Sequence, residues 1–250
     1  MFGFPVAPRT DGFKLQQNLL RTVIFQIKFP PAYSVVARHQ ELQSALSNTF
    51  PQNEALKYQA ASGESIEQTP IVSTQQSTAG GFEFRTADQK MIFTVKEDEL
   101  SLTILGHQYV NFQTVQHDLQ ESIYKVGNLL GLSSLTRTSI RKINLVNVQQ
   151  AQFPLTVEAV YRSVFHNLLT LTSAAIPSAP YLFSGINNYR YHHDAHWLNL
   201  VYGLLPEPAQ DGARQFVLDI DLLNTQPEQP YTDLSSNLSK LNDEVFNVFS

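Results

Sequence analysis

From Leu19 to Phe29 the apolar residues Val23, Phe25, Ile27 and Phe29 alternate with Thr22, Gln26 and Lys28. Period two over that length predicts a half-buried strand, and Pro30-Pro31 ends it. Val35, His39, Leu42, Leu46 and Phe50 then fall three and four residues apart, which predicts a helix closed by Pro51. A short strand is read at 55–61. The Ser-, Thr-, Gln- and Gly-rich stretch 61–80 reads as a flexible excursion. Three more alternations follow: Phe82 and Phe84; Met91, Phe93 and Val95; Leu100, Leu102 and Ile104. The polar interruptions 87–90 and 96–99 have hairpin length, so these strands form an antiparallel meander with one wet face. Thr114 is read as the N-cap of a helix striped by Val115, Leu119, Ile123, Val126 and Leu130, with Gly131 as its C-terminal cap.

The same order of signals returns. A strand is expected at 137–148, and after Pro154 a helix striped by Val157, Val160, Tyr161, Val164, Phe165 and Leu168. Strands at 181–191, 196–204 and 214–222 come next, separated by 192–195 and by Pro206-Glu207-Pro208. Leu234, Leu238, Leu241, Val245 and Phe249 form a last helical stripe after Asp233; it runs to the end without a stop signal, as in a helix cut short. Letters agree only weakly between the halves, as in Leu20-Arg21-Thr22-Val23-Ile24 beside Ile140-Arg141-Lys142-Ile143-Asn144. The element order predicts an α+β fold of two similar strand–helix–three-strand–helix lobes, 19–136 and 137–250. They follow an N-terminal arm at 1–18 and share one sheet system, mainly antiparallel, with helices packed on one face.

Composition narrows the chemistry. Only 16% of the 250 residues are charged, and the net charge is −5. The surface is therefore polar but weakly self-repelling, which favours a protein partner or self-association. The longest Lys/Arg run is Arg141-Lys142; with no basic patch to replace phosphate counterions, nucleic acid is not an expected partner. The absence of cysteine excludes disulfides, thiolate zinc sites and a Cys nucleophile within the chain. The N-terminus lacks the basic start and apolar run of a secretory signal, and no stretch approaches bilayer-spanning length. These features predict a soluble, cytoplasmic protein with no membrane contact.

Four passages carry a resemblance. They are the opening Leu-Leu-Arg-Thr-Val-Ile-Phe-Gln-Ile-Lys-Phe strand, the Gly-Phe-Glu-Phe to Leu-Ser-Leu meander, Ser-Ile-Arg-Lys-Ile-Asn-Leu-Val-Asn, and the segment from Phe-Val-Leu-Asp-Ile-Asp to the C-terminal Phe. Together they are similar to a sporadically distributed prokaryotic family of about 250 residues with no established activity. Its members usually carry an Arg and an Asn in the middle strand, matched here by Arg141 and by Asn144 or Asn147. The excursion at 61–80 departs from that pattern. The resemblance implies a patchily inherited accessory protein and supplies no catalytic residue.

Candidate chemistry is sparse. Within Tyr191-His192-His193-Asp194-Ala195-His196, the residues His192, Asp194 and His196 share a parity and form a candidate metal-ligand set. The competing reading is a solvated hairpin turn, and it is preferred. Asp219 and Asp221 share a strand face about 7 Å apart, suited to a divalent cation or to split acid and base roles, or simply to a wet sheet surface. Arg141 in a central strand needs a partner, and Asp219 is expected to supply it as a structural ion pair. His39 and His166 read as packed or boundary histidines. No Gly-x-Ser-x-Gly elbow, phosphate loop or dinucleotide fingerprint occurs. A non-enzymatic interaction module without a cofactor is therefore favoured. A metal-dependent hydrolase at the histidine hairpin and strand aspartates is second, and a ligand pocket lined by Phe93, Leu102 and Trp197 is third.

Overall fold

Residues 20–57, 79–106, 109, 111–148, 185–205 and 214–249 are described by the computed structural model of the chain. The N-terminal arm, the helix expected after Pro154, His166 and nearly all of the 61–80 excursion lie outside them. Residues 79–80, assigned to that excursion by composition, are instead the start of a strand.

In chain order the strands of the first half are β1 (Leu20–Lys28), β2 (Gln52–Lys57), β3 (Ala79–Arg85), β4 (Met91–Lys96) and β5 (Glu99–Leu105). The second half contributes β6 (Ser134–Leu135), β7 (Arg137–Val148), β8 (Gly185–His193), β9 (His196–Leu204), β10 (Arg214–Asn224) and β11 (Gln229–Pro230). Three α-helices accompany them among the described residues: α1 (His39–Leu46), α2 (Phe112–Leu130) and α3 (Leu234–Phe249). Nine strands form one sheet in the order β2-β3-β4-β5-β1-β7-β10-β9-β8, and β6 and β11 form a separate pair. Every ladder in the large sheet is antiparallel. The fold is α+β.

Alternation along each strand sorts side chains onto two faces. One face carries Val23, Phe25, Ile27, Phe84, Phe93, Val95, Leu100, Leu102, Ile104, Ile140, Leu200, Phe216, Ile220 and Leu222, all essentially inaccessible. Leu42 and Leu46 of α1, Leu119, Ile123 and Val126 of α2, and Leu234, Leu238 and Val245 of α3 join them in one core. Phe50 meets Phe93 with ring centroids 5.7 Å apart, and Phe112 meets Phe25 at the same distance. Burying a side chain of this size contributes about 1.5–3 kcal/mol, so the core face decides which way every strand turns.

Two expectations need correction. The first helix is shorter than its stripe: Val35 and Phe50 are buried, but from the flanking turns and not from the helix. The N-cap of α2 is Asn111, not Thr114. Asn111 Oδ1 accepts from Thr114 N at 2.9 Å, satisfying one orphan helix donor, while Thr114 Oγ1 donates back to Asn111 O at 2.8 Å. Thr114 is therefore the capped residue. Gly131 ends the helix at φ 68, and its Cβ-free left-handed turn lets Leu132 N donate to Gly127 O at 2.9 Å.

The two halves meet at β1–β7 and again above the sheet. Tyr231 precedes α3 and lies on α2, where its hydroxyl donates to Ile123 O at 2.5 Å and its ring stands edge-on to Tyr124. Gly127 of α2 lies directly under that ring.

Candidate functional site

The second face of the sheet is the candidate site. Among the described residues no helix packs on it, because the buried apolar residues of α1, α2 and α3 belong to the core on the other face. Strand register assigns its rows. Ile92, Thr103, Ile24, Arg141, Asp221, Asn199 and Arg190 stand side by side across seven strands. A neighbouring row runs Ser101, Gln26, Ser139, Leu223, Trp197 and His192; on the other side lie Ile143, Asp219, Val201 and Asn188. Ile24, Ile92, Ile143 and Val201 are partly exposed here, and Ile186 is half exposed. Such a mixture of apolar and polar groups differs from the uniformly polar wet face that alternation alone implies.

Its charged centre is Arg141. Register sets it opposite Asp221, yet its guanidinium reaches diagonally to Asp219. Nε donates to Oδ1 at 2.9 Å and to Oδ2 at 3.2 Å, and Nη2 donates to Oδ2 at 2.6 Å. The fork is bidentate, which fixes the planar groups together. Asp219, with its side chain 11% exposed, is the buried partner, and Arg141 at 46% reaches solvent. The Asp219 contact holds the guanidinium still more firmly protonated. Asp221 accepts from Asn199 Nδ2 at 3.2 Å. Burial nevertheless raises its carboxyl above the ordinary value, outweighing that hydrogen bond and the nearby Arg141 and Arg137 charges.

Beside this centre, Arg190 Cζ of β8 lies over the Trp197 ring, 4.1 Å from its centre, and His192 stacks on the same indole at 4.1 Å. Arg137, at the start of β7, donates to Gln26 Oε1, while its buried Nε has no partner among the described residues. Lys28 and Lys96 both reach the buried Glu99, at 3.6 and 3.1 Å.

The structure does not bring His192, Asp194 and His196 together. His193 pairs with His196 across a two-residue turn, and His192 pairs with Trp197. Because the chain reverses at Asp194, which adopts φ 50, parity restarts, and His192 and His196 face opposite sides of the sheet. The Asp194 carboxylate instead lies 3.2 Å from His193 Nδ1. Among the described residues no three His, Asp or Glu side chains are placed to hold a metal ion. Asp219 and Asp221 do share the second face, but Arg141 occupies the first and Asn199 the second. Phe93 and Leu102 lie on the core face and Trp197 on the other, so these three cannot line one pocket.

Sequence reasoning missed a polar cluster on the helix side. Lys142, next to Arg141, points the other way: Nζ donates to Asn242 Oδ1 at 3.2 Å and lies 5.5 Å from the Tyr109 ring centre. Burial pushes the Tyr109 phenol up, and its hydroxyl also reaches Asn242 Oδ1. The polar letters Lys142 and Asn144 at core parity were the available signal. His39, expected as a packed or boundary histidine, stacks on Phe82 at 4.2 Å and meets Asn53 Oδ1 at 3.3 Å.

Among the described residues no helix is long and apolar enough to cross a membrane. No protein-family description matches the chain, and no curated protein matches it as a relative.

Proposed function

We propose that this chain is a non-enzymatic interaction module whose second sheet face, around β7 to β10, holds an acidic surface of another protein. One observation supports it above others. Arg137, Arg141 and Arg190 converge with the only tryptophan on one sheet face, in a chain whose net charge is −5. Arginine and tryptophan are the residues that most often dominate binding energy at protein interfaces. Arg141 is neutralised by Asp219, whereas Arg137 Nε lacks a partner among the described residues and Arg190 rests on an indole. The charge left to be matched is positive, so the complementary surface presents carboxylates. Three arginines, one of them already neutralised by Asp219, are too few to replace the counterions of a phosphate backbone, which argues for protein over nucleic acid. Cytoplasmic residence belongs to this reading, since a chain without cysteine has no need of an oxidising compartment.

We also propose that the two halves arose by duplication. Read outward from the seam, the strands run β1-β5-β4-β3 on one side and β7-β10-β9-β8 on the other, with β2 added at one edge.

A photo-crosslinking residue placed at Val201 or Asn188, in the expressing cell, tests the docking reading. The expected result is one discrete protein adduct that disappears with Arg190→Glu and does not form from Lys125 on α2. Equal labelling from Lys125, an adduct containing nucleic acid, or an adduct of two copies of this chain would count against it.

A further inference from the structure

On the helix side of the sheet, beside the 193–196 turn, a cavity of about 170 Å³ separates the ends of β9 and β10 from α3. Asn237, Lys240, Leu241 and Glu244 line it at the spacing of one helical face, and Leu222 and His196 close it from the strands. Leu222 and Leu241 give it an apolar floor, both buried in the core. His196 Nδ1 is buried and has no hydrogen-bond partner among the described residues. A buried polar atom left without a partner is costly, so a group that pairs with it is favoured there. Desolvation also keeps the imidazole neutral at neutral pH, with one ring nitrogen donating and the other accepting.

We propose that this cavity binds a small zwitterion, an α-amino acid with a short aliphatic side chain. Lys240, exposed at the rim, meets the carboxylate; Glu244, buried one turn along the same face, meets the ammonium. A carboxylate has roughly four acceptor positions, so Glu244 can serve the ligand while keeping its existing contact. His196 Nδ1 and the Asn237 amide complete the polar ring, and the two leucines take the side chain. The volume suits this class: at roughly 30 Å³ per water it corresponds to about five or six waters, the size of a small amino acid. The cavity lies on the opposite side of the sheet from Arg190 and Trp197, so this assignment stands or falls independently of the docking face.

Calorimetric titration of the whole chain with L-alanine and L-valine decides it, with propionate and propylamine as single-charge controls. One amino acid should bind per chain, and each control at least about tenfold more weakly, since each forfeits a charged hydrogen bond. Lys240→Met should weaken amino-acid binding by about tenfold or more, and saturation should shift the His196 imidazole ¹⁵N resonances. No saturable binding by either amino acid, controls binding as tightly as alanine, or unchanged affinity in K240M would overturn the assignment. The control comparison needs no variant, so it decides the matter even if K240M fails to fold.

Discussion

Replacing Gly127 by alanine sets helix propensity against packing, and the structure predicts which wins. In an exposed helix interior the change stabilises by about 1 kcal/mol. At this position an added Cβ would lie 1.9 Å from Tyr231 Oη and 2.3 Å from Cζ. The tyrosine cannot step aside cheaply, because it is only 5% exposed and is fixed by its hydrogen bond to Ile123 O and its edge contact with Tyr124. Overpacking costs about 1–3 kcal/mol. Moving the hydroxyl off Ile123 O leaves it buried without a partner, about another 1–3 kcal/mol. Net destabilisation of about 2 kcal/mol is expected, read as a lower urea midpoint at unchanged slope by circular dichroism. In a Tyr231→Ala background the clash is gone, and the same Gly127→Ala change should stabilise by up to about 1 kcal/mol. The double-mutant cycle should thus return a coupling of about 3 kcal/mol. A neutral or stabilising G127A in the otherwise native chain, or additive effects in the cycle, would refute the docking of Tyr231 on α2.

Gln229 is almost fully buried, accepts from Thr138 and Asn237, and donates to the carbonyls of Asn224 and Gln226. Gln229→Leu should therefore cost about 2–4 kcal/mol, chiefly by leaving the buried Thr138 hydroxyl and Asn224 carbonyl without their partner, measured by denaturant unfolding. Arg141→Met removes the fork on a largely buried Asp219; a loss of about 1–3 kcal/mol is expected, mostly recovered when Asp219→Asn is added. Asp221→Asn should stabilise at neutral pH, because burial disfavours the ionised carboxyl in the folded chain. The folded chain holds the Asp221 proton more tightly than the unfolded chain, so ionisation weakens the native state as pH rises from the ordinary value of 3.8 through the raised one. The advantage of D221N should accordingly disappear below that range in a series of urea titrations.

How much could be read from the letters depended on whether a residue's environment was local. Period-two runs such as Phe93-Thr94-Val95 identify a strand because the pleat alone dictates the alternation, and β4, β5, β9 and β10 lie where they were expected. The stripe from Val35 to Phe50 misled because turns can bury side chains at helical spacing too. Asn111 outcompetes Thr114 as a cap through one hydrogen bond that no periodicity reports. At the histidine hairpin shared parity requires 192–196 to be one strand, and the left-handed Asp194 breaks that continuity. Neither the Arg190–Trp197–His192 stack nor its gathering with Arg137 was legible: the first depends on the exact turn of the β8–β9 hairpin, the second on the register of strands far apart in sequence.

Docking requires the second sheet face to be free in the isolated chain and covered in a complex. With no native cysteine, Val201→Cys reports on it directly by its thiol-labelling rate, with Leu200→Cys, on the 2%-exposed neighbour, as the core reference. Rapid labelling at 201 in the purified chain, protection at 200, and slowing at 201 alone once the partner is bound are predicted. A thiol at 201 as unreactive as that at 200, or one that labels equally fast in the complex, would contradict it.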